Sequence, residues 1–390
     1  MRREDWAVKE LQYIRDQHLE RKVCEYPENG GKIRVGNQQF LNFSSNDYLG
    51  LAHSPSVAEV AENAVRRYGT GATASRLITG TLPCHRELED LMASYKGYPC
   101  AIVFGSGYMA NVGVIPALVG RGDMIVTDKL AHASLIDAAV LSRADLRRFR
   151  HNDVEHLSDI LKKKPLGIRC LVITESVFSM DGDLAPVQEI AGVAQQFGVM
   201  LMVDEAHATG VFGPKGAGLV CQHRLEQDVN ISMGTLSKAF GGYGGFIACS
   251  KTLRDLLVNK ARSFIFSTAI PPSVACTALG ALNIIETNPD MGANLLKRAA
   301  YFRERLQNAG LNTGQSASQI IPVIVGDNQR ALAFSARLKD SGILAVAIRP
   351  PTVPSGTARV RFSVTLAISK DELDRGAELI IQTAAREKIL

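Results

Sequence analysis

The sequence predicts an α/β fold, a mostly parallel sheet flanked by helices, joined to a smaller C-terminal α+β domain and a short N-terminal segment. Two observations carry this. Between about residues 53 and 280, helical spacing alternates with short apolar runs: AIVF (101–104), MIVT (124–127), CLVITE (170–175), VMLMVDE (199–205), VNISMG (229–234) and GFIACS (245–250). Runs of this length without polar alternation are strands buried on both faces. After about 280 the pattern changes to a long helix near 288–309, QIIPVIVG, a helix over 328–341, ILAVAIRPP, ARVRFSVT and a last helix from 370. Helices beside hairpin-like strands form a separate α+β layer.

At the other end, Trp6, Leu11, Ile14 and Leu19 are spaced as one face of an amphipathic helix over 4–22. The turn-rich YPENGGK and a strand-like QFLNFSS follow. The expected organisation is therefore an N-terminal segment 1–50, a large domain 51–285 and a small domain 286–390.

Composition narrows the function classes. Hydrophobic residues at 46% and charged residues at 21% are ordinary globular values. The net charge of +5 is mild, and bases alternate with acids, as in KELQYIRDQHLERK. A nucleic-acid-binding protein shows a basic stripe or cluster instead. The seven cysteines are scattered and never form C-x-x-C, against a disulfide scaffold or a zinc site. The N-terminus lacks a signal-peptide apolar stretch, and the run 269–285 is too short and polar to span a bilayer. The expectation is a cytoplasmic protein with no metal, nucleic-acid or membrane partner.

Several strands end in polar residues, Asp128, Glu175, Asp204 and Thr235, and open α/β sheets bind ligands at the carboxyl ends of strands. VDEAHATG (203–210) contains Asp-Glu-Ala-His, which also occurs in nucleotide-driven helicases. That reading requires G-x-x-x-x-G-K-[ST], and the one Gly-Lys pair, Gly31-Lys32, is followed by Ile33. A different chemistry accounts for the set. Asp204 closes a buried strand, where an unpaired carboxylate is costly and a protonated ring nitrogen would be a suitable partner. His207 lies in the following loop. Lys238, past the end of a later strand in TLSKAFGGYGG (235–245), is the residue type that forms Schiff bases and, partly desolvated, acts as a base.

Asp, His and Lys at neighbouring strand ends suit pyridoxal phosphate, whose ring nitrogen is kept protonated by a carboxylate. FGSGYMAN (104–111) supplies Ser106, Gly107 and Tyr108 at a helix N-terminus, a ready phosphate site. His132 follows another strand end and can stack on the ring, and TESVFSMDGD (174–183) adds Glu175 and Ser179. Each residue alone has a plainer reading: a surface histidine, a capping aspartate, a solvated lysine, a glycine turn. Their common placement at strand ends is what favours the cofactor.

FSSNDYLGL (43–51), HASLIDA (132–138), HND (151–153), VFSMDGDLAP (177–186), DEAHATGVFG (204–213), GTLSKAFGGYGG (234–245), FSTAIPP (266–272) and AIRPPTVPSGTARVR (347–361) resemble the α-oxoamine synthases. The resemblance runs in unbroken order from about residue 19 to the end. It implies the fold-type I architecture of pyridoxal phosphate enzymes, with a central seven-stranded sheet, and decarboxylative condensation of an amino acid with an acyl thioester. The substrates it implies are L-alanine and a pimeloyl group on coenzyme A or acyl carrier protein, with glycine or serine and another acyl-CoA as the alternative. It implies that Lys238 holds the cofactor, Asp204 pairs with the pyridine nitrogen, His207 and Ser179 bond the phenolic oxygen and His132 stacks on the ring. Gly107, Tyr108 and Thr235 fall at phosphate positions, with Ser267 or Thr268 reaching in from the second subunit of a homodimer. Arg21, Asn46, Arg349 and Thr352 fall at substrate positions. One departure is Ile368, where many members have histidine.

Overall fold

The computed structural model describes residues 3–27 and 30–389. By contacts the chain divides into two units: Asn46–Ser179 with Asp183–Leu295, and Met1–Ser45 with Met180–Gly182 and Leu296–Leu390.

The larger unit holds a seven-stranded sheet. Its strands are β1 (Cys100–Phe104), β2 (Met124–Asp128), β3 (Asp145–Phe149), β4 (Cys170–Glu175), β5 (Met200–Asp204), β6 (Ile231–Thr235) and β7 (Gly245–Cys249). They lie in the order β1-β7-β6-β5-β4-β2-β3. The pairs from β6 through β3 are parallel, and β7 is antiparallel to both its neighbours. Alternate residues of one strand feed opposite cores. Ile125, Leu171, Ile173, Met202 and Ile231 pack into one layer, Met124, Val126, Cys170, Val172, Leu201 and Val203 into the other. Both faces are apolar because both are covered. Each fully buried Val, Leu or Ile contributes about 1.5–3 kcal/mol.

The chain steps outward from β2 to β3, then returns to the other side of β2 as β4 and continues to β5 and β6. The reversal between β2 and β4 opens a crevice at the carboxyl ends of the strands, the place where such sheets bind ligands. Asp128, Glu175, Asp204 and Thr235 terminate four of these strands and are all buried.

In the smaller unit, Ile320–Gly326, Ala358–Ser363 and Val346–Ile348 form an antiparallel sheet. A second sheet pairs Lys32–Val35 with Gln38–Asn42, which in turn pairs in parallel with Ile343–Leu344. The N-terminal strands are thus completed by a C-terminal one. Phe43 stacks on Phe302 at 5.2 Å, and Phe362 meets Phe43 edge-on at 6.0 Å. Ile368 is buried, and its carbonyl accepts a hydrogen bond from Arg298 at 2.9 Å.

Three local features differ from the sequence expectation. The N-terminal helix runs only over Asp5–Asp16, and none of its residues is buried. His18 then takes a positive φ of 55°, and Arg15 reaches forward to Glu20 at 2.9 Å, so the chain turns instead of continuing to 22. Strand β3, DLRRF, lies at the sheet edge with mostly exposed side chains, which removes the apolar signal a buried strand carries. Lys32–Val35 is likewise a mostly exposed strand, and it begins on the last residue of the turn-rich YPENGGK; Glu28 and Asn29 of that stretch lie outside the described residues. Among the described residues no helix is long and apolar enough to cross a membrane.

Candidate active site

A cavity of about 240 Å³ in the larger unit is lined by Ser106, Gly107, Tyr108, His132, Glu175, Asp204, His207, Thr235 and Lys238. Every one of these was named from the sequence. Asn111, Ser134, Ala206, Met233 and Ser237 complete the lining.

The strand ends place each group. Glu175 and Asp204 are register partners at the ends of β4 and β5. Asp204 Oδ1 accepts the Ala206 N–H at 2.9 Å, and Oδ2 accepts Asn111 Nδ2–H at 3.1 Å. Both donors are neutral groups, and the two bonds leave the carboxylate room to accept a further, cationic N–H. Asn111 also donates to Ser134 Oγ at 2.9 Å, while its own Oδ1 is buried with no partner among the described residues.

His132 is the cap of helix Ala133–Ser142, its Nδ1 accepting the Ser134 N–H at 3.2 Å. That bond leaves the proton of a neutral ring on Nε2. Burial lowers the His132 pKa, the Asp204 charge opposes this, and Lys238 lowers it further. The His132 backbone N–H donates to Glu175 Oε1 at 2.6 Å, joining the loop after β2 to the end of β4 across the crevice. Burial, reinforced by the charge of Asp204, pushes the Glu175 carboxyl well above the usual carboxylate range.

Lys238 Nζ lies 3.0 Å from His207 Nε2, and His207 Nδ1 lies 2.7 Å from the hydroxyl of the buried Tyr48. Tyr48 in turn reaches Asn46 Oδ1 at 3.3 Å. One proton direction satisfies the whole chain: Lys238 donates to His207, His207 to Tyr48 and Tyr48 to Asn46.

At the other end of the cavity, Ser106 caps helix Gly107–Leu118 by accepting the Met109 N–H at 3.1 Å. Gly107 and Gly245 abut so closely that a Cβ on Gly245 would stand 2.6 Å from the Gly107 nitrogen. This keeps the helix N-terminus, with its outward N–H groups and positive dipole end, against the sheet. Thr235 Oγ1 donates to Gly244 O at 2.9 Å and lies 2.7 Å from Ser237 Oγ. The half-exposed Tyr108 donates its hydroxyl to Asp137 at 2.8 Å, which raises the phenol pKa.

Other expected residues stand elsewhere. Ser179 is buried in the hairpin after β4 and does not line this cavity. Ser267 and Thr268 lie outside it too, Thr268 in a bridge to Ser75. Arg21, Arg349 and Thr352 line a separate cavity of about 640 Å³ in the smaller unit, with Arg15, Lys22, Val346 and Ile348. Arg349 donates to the carbonyls of His18 and Glu20, and its buried Nε has no partner among the described residues. Burial and the neighbouring Arg21 charge lower its pKa.

The second acid of Asp-Glu-Ala-His has a different task. Glu205 is fully buried, paired with the equally buried Lys96 at 2.5 Å, and accepts from Val220 N–H and Ser232 Oγ–H. It fixes the loop that carries His207. Sequence reasoning missed Lys96, Asn111, Ser134 and Tyr48. Asn111, Ser134 and Tyr48 lie inside motifs that were singled out, FGSGYMAN, HASL and NDYLGL, but nothing local distinguishes them from their neighbours.

A carboxylate awaiting a cationic ring nitrogen, a lysine, an imidazole beside them and a helix N-terminus together fit pyridoxal phosphate. The fold and site are those of a fold-type I pyridoxal phosphate enzyme. Residues 38–380 match the class I and II aminotransferase family, to which the chain belongs. It is 44% identical over 369 residues to the 8-amino-7-oxononanoate synthase of Geobacter sulfurreducens, covering 94% of both chains. Among solved structures it is similar to a serine palmitoyltransferase variant from S. paucimobilis with a bound PLP–myriocin aldimine. The TM-score is 0.93 at 30% identity, over 99% of this chain and 98% of that one. An 8-amino-7-oxononanoate synthase from Francisella tularensis superposes with a TM-score of 0.78 at 29% identity, over 90% and 99%.

Proposed function

We propose that this protein is a pyridoxal phosphate-dependent 8-amino-7-oxononanoate synthase, condensing L-alanine with a pimeloyl thioester to give 8-amino-7-oxononanoate, carbon dioxide and the free thiol. The observation that carries the reading is the meeting of Asp204, His207 and Lys238 in one cavity, in a chain 44% identical to synthases of that name.

Lys238 would hold the cofactor, with Asp204 at the ring nitrogen, His132 on the ring face, and His207 and Ser179 at the phenolic oxygen. Ser106, Gly107, Tyr108 and Thr235 would hold the phosphate. When bound, the group supplies an aldehyde for the amine and a protonated ring that accepts the electron pair left by proton or carbon dioxide loss. Lys238 would act as the base, taking the α-proton of alanine and later returning it. His207 Nε2, 3.0 Å away, accepts a hydrogen bond from the lysine, and its far nitrogen is held by Tyr48. Neutral His132 offers Nε2–H to the carbonyl oxygen of the thioester. Arg21, Asn46, Arg349 and Thr352 keep the substrate-binding roles that the family resemblance implies, the guanidinium fork of Arg349 suiting a carboxylate.

The working form is a cytoplasmic homodimer. Ser267 and Thr268 stand outside the cavity of their own chain, as residues supplied to a partner's phosphate site would.

Free thiol release from pimeloyl-CoA, measured with alanine, glycine and serine, tests the reading. Selectivity for one methyl is about 1–3 kcal/mol, or roughly 10–200-fold. Preference for glycine, or for serine as in the palmitoyltransferase neighbour, would overturn the assignment to alanine.

A further inference from the structure

We infer that His151 is a positioning residue, an imidazolium clamped between Asp128 and Asp183 that sets where His132 and Ser179 stand. It rests on the reading above only in assigning those two side chains to the cofactor ring.

His151 Nδ1 lies 3.0 Å from Asp128 Oδ1, and Nε2 lies 2.8 Å from Asp183 Oδ2. A carboxylate can only accept, so both ring nitrogens must carry hydrogen. A neutral ring would turn one lone pair toward a carboxylate oxygen. Asp128 and Asp183 are both buried, where uncompensated charge is costly. The neutral donors around them do not remove that charge. Leu130 and Asn152 give backbone N–H groups to Asp128, Asn152 Nδ2 donates to Asp183, and Asp183 Oδ1 has no partner among the described residues.

The charged groups acting on the ring are these two carboxylates, while the adjacent Arg150 pairs with Asp153 at 2.8 Å. Burial opposes protonation of His151, but Asp128 and Asp183 outweigh it and raise the pKa to about 10. The ring meets Phe178 edge-on, with centroids 4.4 Å apart at 84°.

Each carboxylate anchors a loop that leads to the site. From Asp128, only Lys129, Leu130 and Ala131 separate the clamp from His132. From Asp183, the hairpin closed by the Val177–Leu184 bridge and by the Phe178 N–H to Asp183 O bond, 3.1 Å, carries Ser179. Neither His132 nor Ser179 touches His151 in sequence, yet both loops converge on one ring.

The test begins with the wild-type holoenzyme labelled with ¹⁵N-histidine. Both His151 nitrogens should remain protonated at about pH 8, well above the ordinary imidazole value. A neutral ring at about pH 7 would overturn the inference. In a second arm, His151→Gln and the near-isosteric Asp183→Asn are compared with wild type. Loosening both loops should lower turnover about 10–100-fold and move the pH midpoint of the visible cofactor band, with the far-ultraviolet dichroism preserved. A folded His151→Gln with unchanged turnover and band profile would overturn it. If that variant fails to fold, Asp183→Asn and the nitrogen spectrum decide. A wild-type protein with no visible band would defeat the functional reading and leave the nitrogen result standing.

Discussion

Lys238 Nζ stands 3.0 Å from His207 Nε2, and the far nitrogen of the same ring is held by Tyr48. The lysine proposed as covalent anchor and base is therefore one end of a hydrogen-bonded chain that runs through the buried Tyr48. Lys238→Ala should leave the fold intact, abolish the visible absorption of the pyridoxal-loaded protein and reduce turnover by at least about 10²–10⁴-fold. Retention of the visible band would place the covalent anchor elsewhere.

Tyr48→Phe removes the hydroxyl that fixes His207. The buried hydrogen bond is worth about 1 kcal/mol, to be read from denaturant unfolding. Turnover should also fall, because the imidazole beside Lys238 loses the partner that sets its tautomer. Unfolding curves and kcat measured on one preparation check both effects.

Lys96→Met should be among the most damaging single changes far from the cofactor. It leaves Glu205 charged and unpaired in a fully buried setting. The cost is about 3–5 kcal/mol. Adding Glu205→Gln should recover much of the lost melting temperature, since the orphaned charge goes with it. A Lys96→Met protein that melts with wild type would show that the pair contributes nothing.

Stability should fall toward alkaline pH through His151. Its folded-state pKa, about 10, lies above the ordinary imidazole value because two carboxylates outweigh its burial. The group therefore stabilises fully below about pH 6.5. The contribution shrinks as pH rises from there and is gone once the folded-state value is passed. Melting temperatures of wild type and His151→Gln should converge across that window, and parallel curves would refute the assignment.

Buried strands were legible because burial on both faces leaves only apolar residues to write; CLVITE and the strand Cys170–Glu175 coincide. The edge strand Asp145–Phe149 was not legible, since an exposed edge is written in charges. In the site, Asp204, His207 and Lys238 stood out because their chemistry is uncommon at strand ends. Asn111 and Tyr48 did not. Their significance comes from bonds to Asp204 and His207, which are far away in sequence and which only the folded sheet brings within reach. The N-terminal helix shows the opposite error. Trp6 and Leu11 have helical spacing yet are exposed, because periodicity shows that a face exists and not what covers it.

The antiparallel seventh strand has a dynamic consequence. Because β7 turns straight back along β6, with Thr235 opposite Gly245, residues 236–244 form a loop closed by the sheet itself. Within it, Leu236 N–H bonds Gly244 O, Gly242 N–H bonds Leu236 O and Gly241 N–H bonds Lys238 O, each at 2.9 Å. The conformational entropy of this tether is spent during folding. In the role proposed for Lys238, releasing a bound group and recapturing it requires only the torsions of its own side chain to be reordered, and its nitrogen stays within a short leash of the place it left.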